Sequence, residues 1–405
     1  MKKFLSLALI AAMLLSCVVL FGSCDSADTN NGDDDFKLGV ICLHDEDSTY
    51  DLNFINGVKE AQKALGLRDD QVIIKRNIPE SNACYEAALD LVDEGCDVIF
   101  ANSFGHETHI LAAAKEKPEV EFCHATGTMA HTENLPNFHN AFASIYEGRY
   151  LAGVAAGMKL NAMIEAGEIT AEQAKMGYVG AFTYAEVISG YTSFYLGAKS
   201  VCPSVTMDVQ FTGSWYDETA ERNTANALIN GGCVLISQHA DSMGAPSACE
   251  DKGVPNVSYN GSTLEHCPDT FIVSSRINWA PYFQYICEQS MKGEAILIDW
   301  TGTIATGSVV LTEVNTNVAA PGTVEEIAKI TEELKNGTRH VFNTANFTVG
   351  GSALTTYLAD VDTDAEFVKD TEAIENGVFF ESKHRSAPYF DIQIDGIKLL
   401  NTNFG

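Results

Sequence analysis

Short apolar runs alternate, from residue 37 onward, with segments in which apolar positions recur every three or four residues. The runs at 38–43 and Val98–Ala101 have the length of buried strands, whereas the spacing within Asn82–Asp93 is typical of an amphipathic helix. Gly66 and Gly95 follow helical segments, as the glycines of helix C-caps commonly do. Strands that alternate with helices in this way predict βα units and a mainly parallel sheet.

The same alternation predicts a long series of elements. It predicts strands at 38–43, 71–75, Val98–Ala101, 121–124, 177–179, Thr206–Phe211 and 233–237, and helices at 54–65, Asn82–Asp93, 110–117, 146–160, 186–198, 218–229 and 324–334. Gly95-Cys96 and Gly232-Cys233 both stand between a helix and a strand, so the series repeats after the helix at 146–160. We therefore predict the α/β class, with two similar doubly wound three-layer lobes joined by a multi-strand hinge.

This prediction divides the folded chain into three parts. Residues 37–145 plus 276–313 form the first lobe, 146–275 form the second lobe, and 314–405 form a C-terminal extension that packs on the lobes. The hinge crossings are expected near Ser144-Ile145, Ser275-Arg276 and Val309-Val310. Since pockets concentrate between domains, we expect a ligand in the crevice between the lobes.

The first residues have the pattern of an export signal. A basic tripeptide opens the chain, an almost uninterrupted apolar run follows at 4–21, and two small residues precede Cys24. We predict a lipoprotein signal peptide at 1–24, lipidation of Cys24, and an acidic linker at 25–36. Lipidation of Cys17 and an uncleaved anchor are the alternatives, and all three place the folded part at the cell membrane, facing the periplasm or the cell exterior.

The formal charge excludes one class of partner. The chain carries 25 basic and 55 acidic residues, for a net charge of −30 at pH 7. Such a charge repels phosphate backbones and anionic lipid headgroups, so we expect no nucleic-acid partner.

Cysteine usage indicates buried thiols in preference to a disulfide scaffold. Two of the 11 cysteines fall in the signal region, and most of the other nine lie within apolar runs. Cys249 and Cys267 lie outside such runs and are the candidate pair if a disulfide exists.

Aromatic and polar side chains meet in the loops that follow the predicted strands. Tyr50 stands beside Asp51, Phe104 lies close to Asn102, and Asp241 follows a strand of the second lobe. A flat heterocycle with N–H edges needs such rings to stack on and such acceptors for its hydrogens. Turns and helix caps have a similar composition, and Asp51 could simply cap the helix that follows it.

Motifs of common enzymes are missing from the sequence. It contains no GxxxxGK[ST], no GxGxxG that opens a helix after a strand, and no GxSxG, so we expect a protein that is not an enzyme and needs no cofactor. His106 and His109 are three residues apart at a helix start, and three more histidines follow at 124, 131 and 139. A metal-binding solute receptor is therefore an alternative.

Several sequence blocks, in order, resemble the BMP family of ABC-transporter substrate-binding lipoproteins, the PnrA-like group within the type I periplasmic-binding-protein fold. The blocks are Gly95-Cys96-Asp97-Val98-Ile99-Phe100-Ala101-Asn102-Ser103-Phe104-Gly105, Phe122-Cys123-His124-Ala125-Thr126-Gly127, Tyr146-Glu147-Gly148-Arg149-Tyr150-Leu151-Ala152-Gly153, Ser214-Trp215-Tyr216-Asp217, Gln238-His239-Ala240-Asp241-Ser242 and Asn278-Trp279-Ala280-Pro281-Tyr282-Phe283. The resemblance covers about residues 38–310. It implies a receptor that binds a purine nucleobase or nucleoside and works with an ABC permease and ATPase. A ligand-sensing module of the same fold is the alternative.

The resemblance also implies site residues. It places stacking rings at Tyr50 and Phe104, the latter next to Gly105 of the same block. It implies polar contacts from Asp51, Glu186 and Asp241, and it puts Trp215 and Trp279 near the crevice, where each could instead pack at the hinge. Because the second half offers no lysine for a ribose hydroxyl, a nucleobase is favoured slightly over a nucleoside.

Overall fold

The computed structural model describes residues 36–361, 366 and 368–404. Lys37–Gly405 forms one compact unit. The predicted signal peptide, Cys17, Cys24 and all but the last residue of the linker lie outside the described residues.

Two sheets organise this unit, and we call the part built on each sheet the first and the second lobe. The six strands of the first sheet are all parallel, in the order β2-β1-β3-β4-β5-β11. They are β1 (Leu38–Ile41), β2 (Val72–Lys75), β3 (Val98–Ala101), β4 (Glu121–Ala125), β5 (Phe138–Ala143) and β11 (Asp299–Gly302).

The second sheet has seven strands, in the order β12-β10-β9-β8-β6-β7-β17. They are β6 (Lys175–Gly180), β7 (Thr206–Phe211), β8 (Leu235–His239), β9 (Asn256–Tyr259), β10 (Phe271–Ile277), β12 (Val309–Leu311) and β17 (Ile397–Leu399). Only β12 runs antiparallel among these described strands. Two small hairpins follow in the extension, formed by β13 (Leu358–Ala359) with β14 (Thr371–Glu372) and by β15 (Ile374–Glu375) with β16 (Val378–Phe379).

Helices cover both sheets. They are α1 (Thr49–Leu65), α2 (Asn82–Asp93), α3 (Glu107–Glu116), α4 (Ala130–Glu133), α5 (Ile145–Glu165), α6 (Ala185–Val201), α7 (Glu218–Asn230), α8 (Gly244–Lys252), α9 (Ala280–Lys292) and α10 (Thr323–Lys335). In the first lobe α1 packs on α9 and α2 packs on α3, while in the second lobe α5 packs on α6 and α7 packs on α8. Each lobe is thus a three-layer α/β unit, and the predicted fold class is confirmed.

Local sequence explains where these helices begin and end. The Ser48 hydroxyl accepts from the Asp51 backbone N–H and caps α1, which ends at Gly66 with φ of 69°. The α5–α6 contact depends on glycine, since a Cβ on Gly153 would lie 2.0 Å from the Phe194 carbonyl oxygen and one on Gly197 would lie 2.0 Å from that of Tyr150. The two helices therefore touch backbone to backbone.

The chain crosses between the sheets three times, next to the predicted hinge segments. It leaves β5 through Ser144, returns after β10, and leaves the first sheet again between β11 and β12. The crossings lie side by side, since the Ser144 N–H donates to the Gly302 carbonyl (2.8 Å) and the Asn278 N–H to the Ser308 carbonyl (2.7 Å).

One boundary differs from the prediction. Val309–Leu311, which fell within the range 276–313 given to the first lobe, pairs with β10 and so belongs to the second sheet. The chain re-enters that sheet beside the strand by which it left. The C-terminal extension also contributes to this sheet, because β17 runs parallel to β7.

All nine cysteines of the described chain are free and buried, including Cys249 and Cys267. All nine belong to the buried hydrophobic core, as the sequence predicted for thiols that act as small hydrophobic residues. No helix within the described ranges combines the length and the apolar character needed to span a bilayer.

Candidate functional site

A cavity opens between the two lobes and encloses about 350 Å³ of space, with the solvent at its mouth included. Its lining residues come from both lobes: Leu43, Tyr50, Ser103, Phe104, Thr126, Glu186, Trp215, His239, Asp241 and Tyr259.

The topology explains why these residues converge. Leu43 follows β1, Phe104 follows β3, and Thr126 follows β4 in the first lobe, whereas Asp241 and Tyr259 stand at the carboxyl ends of β8 and β9 in the second. Parallel strands present their carboxyl ends at one edge of a sheet, and the two edges face the same crevice.

Two aromatic rings form much of the first lobe's wall. The Tyr50 hydroxyl donates to the Asn102 carbonyl (2.7 Å), and the ring packs edge-on against Phe54. Burial raises the pKa of Tyr50, and the Glu186 and Asp241 carboxyls raise it further. Phe104 is 40% exposed, although its ring centroid lies only 5.2 Å from that of Tyr184 in the second lobe. Both predicted stacking rings therefore reach the cavity.

Asp51 lies behind this wall and does not line the cavity. Its carboxylate accepts from the Ser48 hydroxyl (2.7 Å), the Asn102 side-chain amide (2.7 Å) and the His44 backbone N–H (3.1 Å). These bonds join the loop after β1 to the loop after β3. The residue Asp51 is only 1% exposed. Asp51 thus ties the start of α1, which carries Tyr50, to the loop after β3, which leads to Phe104.

Gly105 and Trp279 are also absent from the cavity lining as described. The Gly105 N–H donates to the Glu80 carboxylate (2.8 Å), and a Cβ on Gly105 would meet that side chain at 2.6 Å. Trp279 is 1% exposed and stacks on Phe54 with 4.4 Å between ring centroids. The first residue permits a close loop contact, and the second packs in the core beneath α1.

The second lobe contributes the ionisable groups. Asp241 lines the cavity, and burial raises the pKa of its carboxyl well above the usual range; the Asp51, Glu221 and Glu186 carboxyls add to that shift, and a hydrogen bond from the Asn260 side chain opposes it. Glu186 at the start of α6 lies 3.4 Å from the Nε2 atom of His239. Burial lowers the pKa of His239, which favours the neutral imidazole.

Trp215 lines the cavity as part of an aromatic cluster in the second lobe. Its ring centroid lies 5.1 Å from Phe182 and 6.0 Å from Tyr184, and Phe182 stacks on Tyr184. Because Tyr184 also contacts Phe104, the cluster extends one continuous set of rings across the mouth of the cleft.

Sequence reasoning missed five lining residues. They are Leu43, Ser103, Thr126, His239 and Tyr259. All five lie at or within two residues of the carboxyl end of a parallel strand, and Ser103, Thr126 and His239 also fall within the quoted sequence blocks, so the carboxyl-end rule could have found them. Thr126 has a φ of 65°, which a β-branched residue rarely adopts.

The histidines do not form a metal centre. Within the described chain, no three His, Cys, Asp or Glu side chains stand close enough together to hold a metal ion. The imidazoles have separate protein partners: His106 with the Ile78 carbonyl, His124 with the Ser103 carbonyl, His131 with Asp299 and His139 with Glu121. These contacts place them in the structure of the first lobe.

Comparison with known proteins identifies related sequences. The model of the Bmp family, described as ABC transporter substrate-binding protein PnrA-like, matches residues 40–342. A Haloferax volcanii protein named as an ABC transporter glucose-binding protein is 32% identical over 240 residues, which cover 59% of this chain and 57% of the relative. A purine-binding protein of Brucella abortus is 32% identical over 228 residues, covering 56% of this chain and 60% of the relative. The matched segments thus span less than two thirds of either relative.

Solved structures agree with the fold. An ABC transporter system solute-binding protein from Conexibacter woesei superposes with a TM-score of 0.61 at 19% identity, covering 75% of this chain and 98% of that one. This likeness extends to both lobes but leaves part of the present chain unmatched.

Proposed function

The chain belongs to the PnrA-like family of ABC transporter substrate-binding proteins, a family of solute-binding proteins and not of enzymes, and we propose that it captures a purine nucleobase or nucleoside between its lobes. The observation that carries this proposal is the composition of the cavity wall. Rings from both lobes, among them Tyr50, Phe104 and Trp215, surround a space that also receives the carboxyls of Glu186 and Asp241.

A purine has the properties that such a wall would recognise. Its flat faces stack on aromatic rings, and its N–H edges donate to carboxylates. Ligand specificity in this proposal comes from Glu186 and Asp241 in the second lobe, because Asp51 already bonds to its own loops. The two relatives carry names for different ligands, glucose and purine, so the chemistry of the wall decides the choice.

Closure of the lobes around the ligand is part of the proposal. The lobes already touch around the cavity: the Thr49 N–H donates to the Asp241 carbonyl (3.0 Å), and the His44 and Tyr216 rings lie 5.3 Å apart. A ligand that contacts both lobes would favour this closed arrangement over an open one. The three crossings beside Ser144 would serve as the hinge.

Delivery to a permease completes the proposed role. We propose that lipidation of Cys24 holds the protein at the outer face of the cell membrane, where it passes its ligand to an ABC permease and ATPase. Metabolic labelling with a palmitate analogue tests the anchor: Cys24→Ser should lose the label, whereas Cys17→Ser should keep it. Label retained by Cys24→Ser would contradict this site.

Calorimetry with the full-length chain in detergent tests the ligand. Titrations with adenine, guanine, adenosine, guanosine and glucose should give heats of binding for at least one purine and none for glucose. Binding of glucose alone would overturn the purine proposal. Thermal melting in the presence of the same compounds gives an independent readout, since a ligand at 100 times its Kd adds about 2.7 kcal/mol to the free energy of unfolding.

A further inference from the structure

The C-terminal extension is attached to the second lobe at several separate places. Its strand β17 runs parallel to β7 at the edge of the second sheet. The Tyr191 hydroxyl of α6 donates to the Gln393 side chain (3.1 Å). The Thr183 N–H, in the loop after β6, donates to the Phe404 carbonyl (2.6 Å). Because these contacts are spread along the extension, we expect the extension to move with the second lobe.

Residues 381–390 of the extension form a loop that projects from the second lobe, and we call this loop the strap. The Glu381 carboxylate is buried and accepts from the Ser189 hydroxyl of α6 (2.5 Å) and from the Phe390 N–H (3.1 Å). The first and last residues of the strap thus meet at one carboxylate on the second lobe. The strap lies beyond residues 40–342, which the family model matches.

The middle of the strap contacts the first lobe. The N–H of Ser386, a buried residue, donates to the Asp299 carboxylate of β11 (2.7 Å). Ala387 and Pro388 border the same small space as Thr128, which follows β4. Within the described ranges, the bond from Ser386 to Asp299 is the strap's hydrogen bond to the first lobe. The strap therefore connects the two lobes at a place separate from the three hinge crossings.

Asp299 belongs firmly to the first lobe. Its strand β11 pairs with β5, and its carboxylate also lies 3.0 Å from the Nε2 atom of His131. When the lobes separate, Asp299 follows the first lobe and Ser386 follows the second. Opening of the cleft must therefore break the hydrogen bond between them.

Polar atoms on both sides of this contact favour its release. Among the described residues, the Asp299 Oδ1 atom, the Ser386 hydroxyl and the Nε2 atom of His384 are buried without a protein partner. Such atoms gain hydrogen bonds when water reaches them, and this gain offsets part of the loss of the bond from Ser386 to Asp299. The contact thus opposes opening of the cleft without preventing it.

We propose that the strap is a releasable latch that shifts the equilibrium between open and closed lobes toward the closed arrangement. This inference goes beyond the proposed purine binding, because the latch acts on the lobes whichever solute the cleft holds. A ligand that contacts both lobes then adds to a closure that the strap already favours.

The distance between two spin labels tests the latch without any ligand. Ala64 near the end of α1 and Ala227 near the end of α7 are exposed positions on the first and the second lobe. Both are replaced by cysteine in the full-length chain in detergent, together with Cys17→Ser and Cys24→Ser. Since the nine cysteines of the described chain are buried, the labels react at the two new positions. Pulsed electron paramagnetic resonance then gives the populations of the separations.

Substitutions of Asp299 should open the lobes. The protein with wild-type Asp299 should show mainly one separation, and Asp299→Ala should raise the ratio of open to closed molecules about ten-fold, as expected for loss of a charged hydrogen bond. Asp299→Asn keeps the size and an acceptor oxygen but loses the charge, so it should raise the ratio less, and it covers the case in which the alanine variant does not fold. Asp395→Ala is the matched control, because that carboxylate bonds to Thr348 and Gly351 within the extension, and it should leave the ratio unchanged.

Three results would overturn the latch. They are a ratio unchanged by both substitutions of Asp299, a protein that is mainly open with Asp299 intact, and an equal increase in Asp395→Ala, which would assign the opening to a general loss of stability. None of these measurements involves a purine, so the latch can fail while the purine proposal stands. Failure of every purine to bind in calorimetry would refute the proposed function and leave the latch intact.

Discussion

The two halves of the cavity differ in how they use a buried aspartate. In the first lobe Asp51 accepts three hydrogen bonds from neighbouring loops and does not reach the cavity. In the second lobe Asp241 anchors Thr49 through its backbone carbonyl, while the residue lines the cavity and its carboxyl has a raised pKa. One carboxylate stabilises the loops, and the other is placed where a ligand would meet it.

This difference separates two tasks. The first lobe offers one ring at the start of α1 and one in the turn after β3, and the hydrogen bonds of Asp51 join these two segments, so the lobe provides a preorganised surface for stacking. The second lobe offers ionisable groups whose protonation depends on pH and on the ligand. Substitutions in the two halves should therefore change different measurable quantities.

The largest effect is expected on stability, from Asp51→Ala. The substitution leaves the Asn102 amide, the Ser48 hydroxyl and the His44 N–H without their acceptor in a buried region. Unfolding by urea should show a loss of about 3 kcal/mol. Asp241→Ala is the matched variant in the second lobe and should cost less than about 1 kcal/mol. Equal losses in the free energy of unfolding for the two variants would contradict the different roles given to Asp51 and Asp241.

An intermediate effect is expected on affinity, from Phe104→Ala. The ring is partly exposed and lies in the cavity wall, so its loss should weaken purine binding by about 2 kcal/mol, or roughly 30-fold, with little change in the melting temperature. Calorimetry measures the affinity, and Phe100→Leu serves as a control within the buried core of the same lobe. Unchanged affinity of Phe104→Ala would exclude the ring from the ligand contact.

The smallest effect, counted per pH unit, is expected on the pH dependence of stability, from Asp241→Asn. Because the pKa of Asp241 is raised in the folded state, the folded protein keeps a proton that the unfolded chain has lost. The stability contributed by that proton is present at acid pH and is lost as the pH rises above the ordinary aspartate pKa toward the raised value. Wild type should therefore lose stability relative to Asp241→Asn over this range, by at most about 1.4 kcal/mol per pH unit.

Urea unfolding of both proteins at a series of pH values measures this difference. Glu221, whose pKa burial raises to about 7, contributes a loss of the same sign in both proteins. Parallel stability curves for wild type and Asp241→Asn would contradict the raised pKa of Asp241.

The sequence predicted the architecture well because alternating elements leave a strong periodic pattern. Asn82–Asp93, Val98–Ala101 and Thr206–Phe211 coincide with the predicted bounds. Helix starts were less accurate: α1 begins at Thr49, five residues before the predicted start, because Ser48 caps a polar first turn that has no apolar period. Apolar spacing identifies the buried face of a helix, so it gives no sign of such a polar turn.

The sequence predicted which positions along the chain lie at the site better than it predicted the role of each side chain. Tyr50, Phe104, Glu186, Trp215 and Asp241 reach the cavity, as their places after the strands suggested. Asp51 stands one residue from Tyr50 in the first turn of α1 and points elsewhere, because successive side chains of a helix are turned by about 100° from one another.

The backbone contact between α5 and α6 has a mechanical consequence. Because Gly153 and Gly197 let the two backbones touch, we expect the two helices to move together as one rigid body. Of the two helices, α5 begins next to Ser144, where the chain crosses between the lobes, and α6 begins beside Glu186 at the cavity. A small rotation of α5 at the crossing would therefore move Glu186 with it. A methyl group on either glycine would weaken this coupling between the two helices.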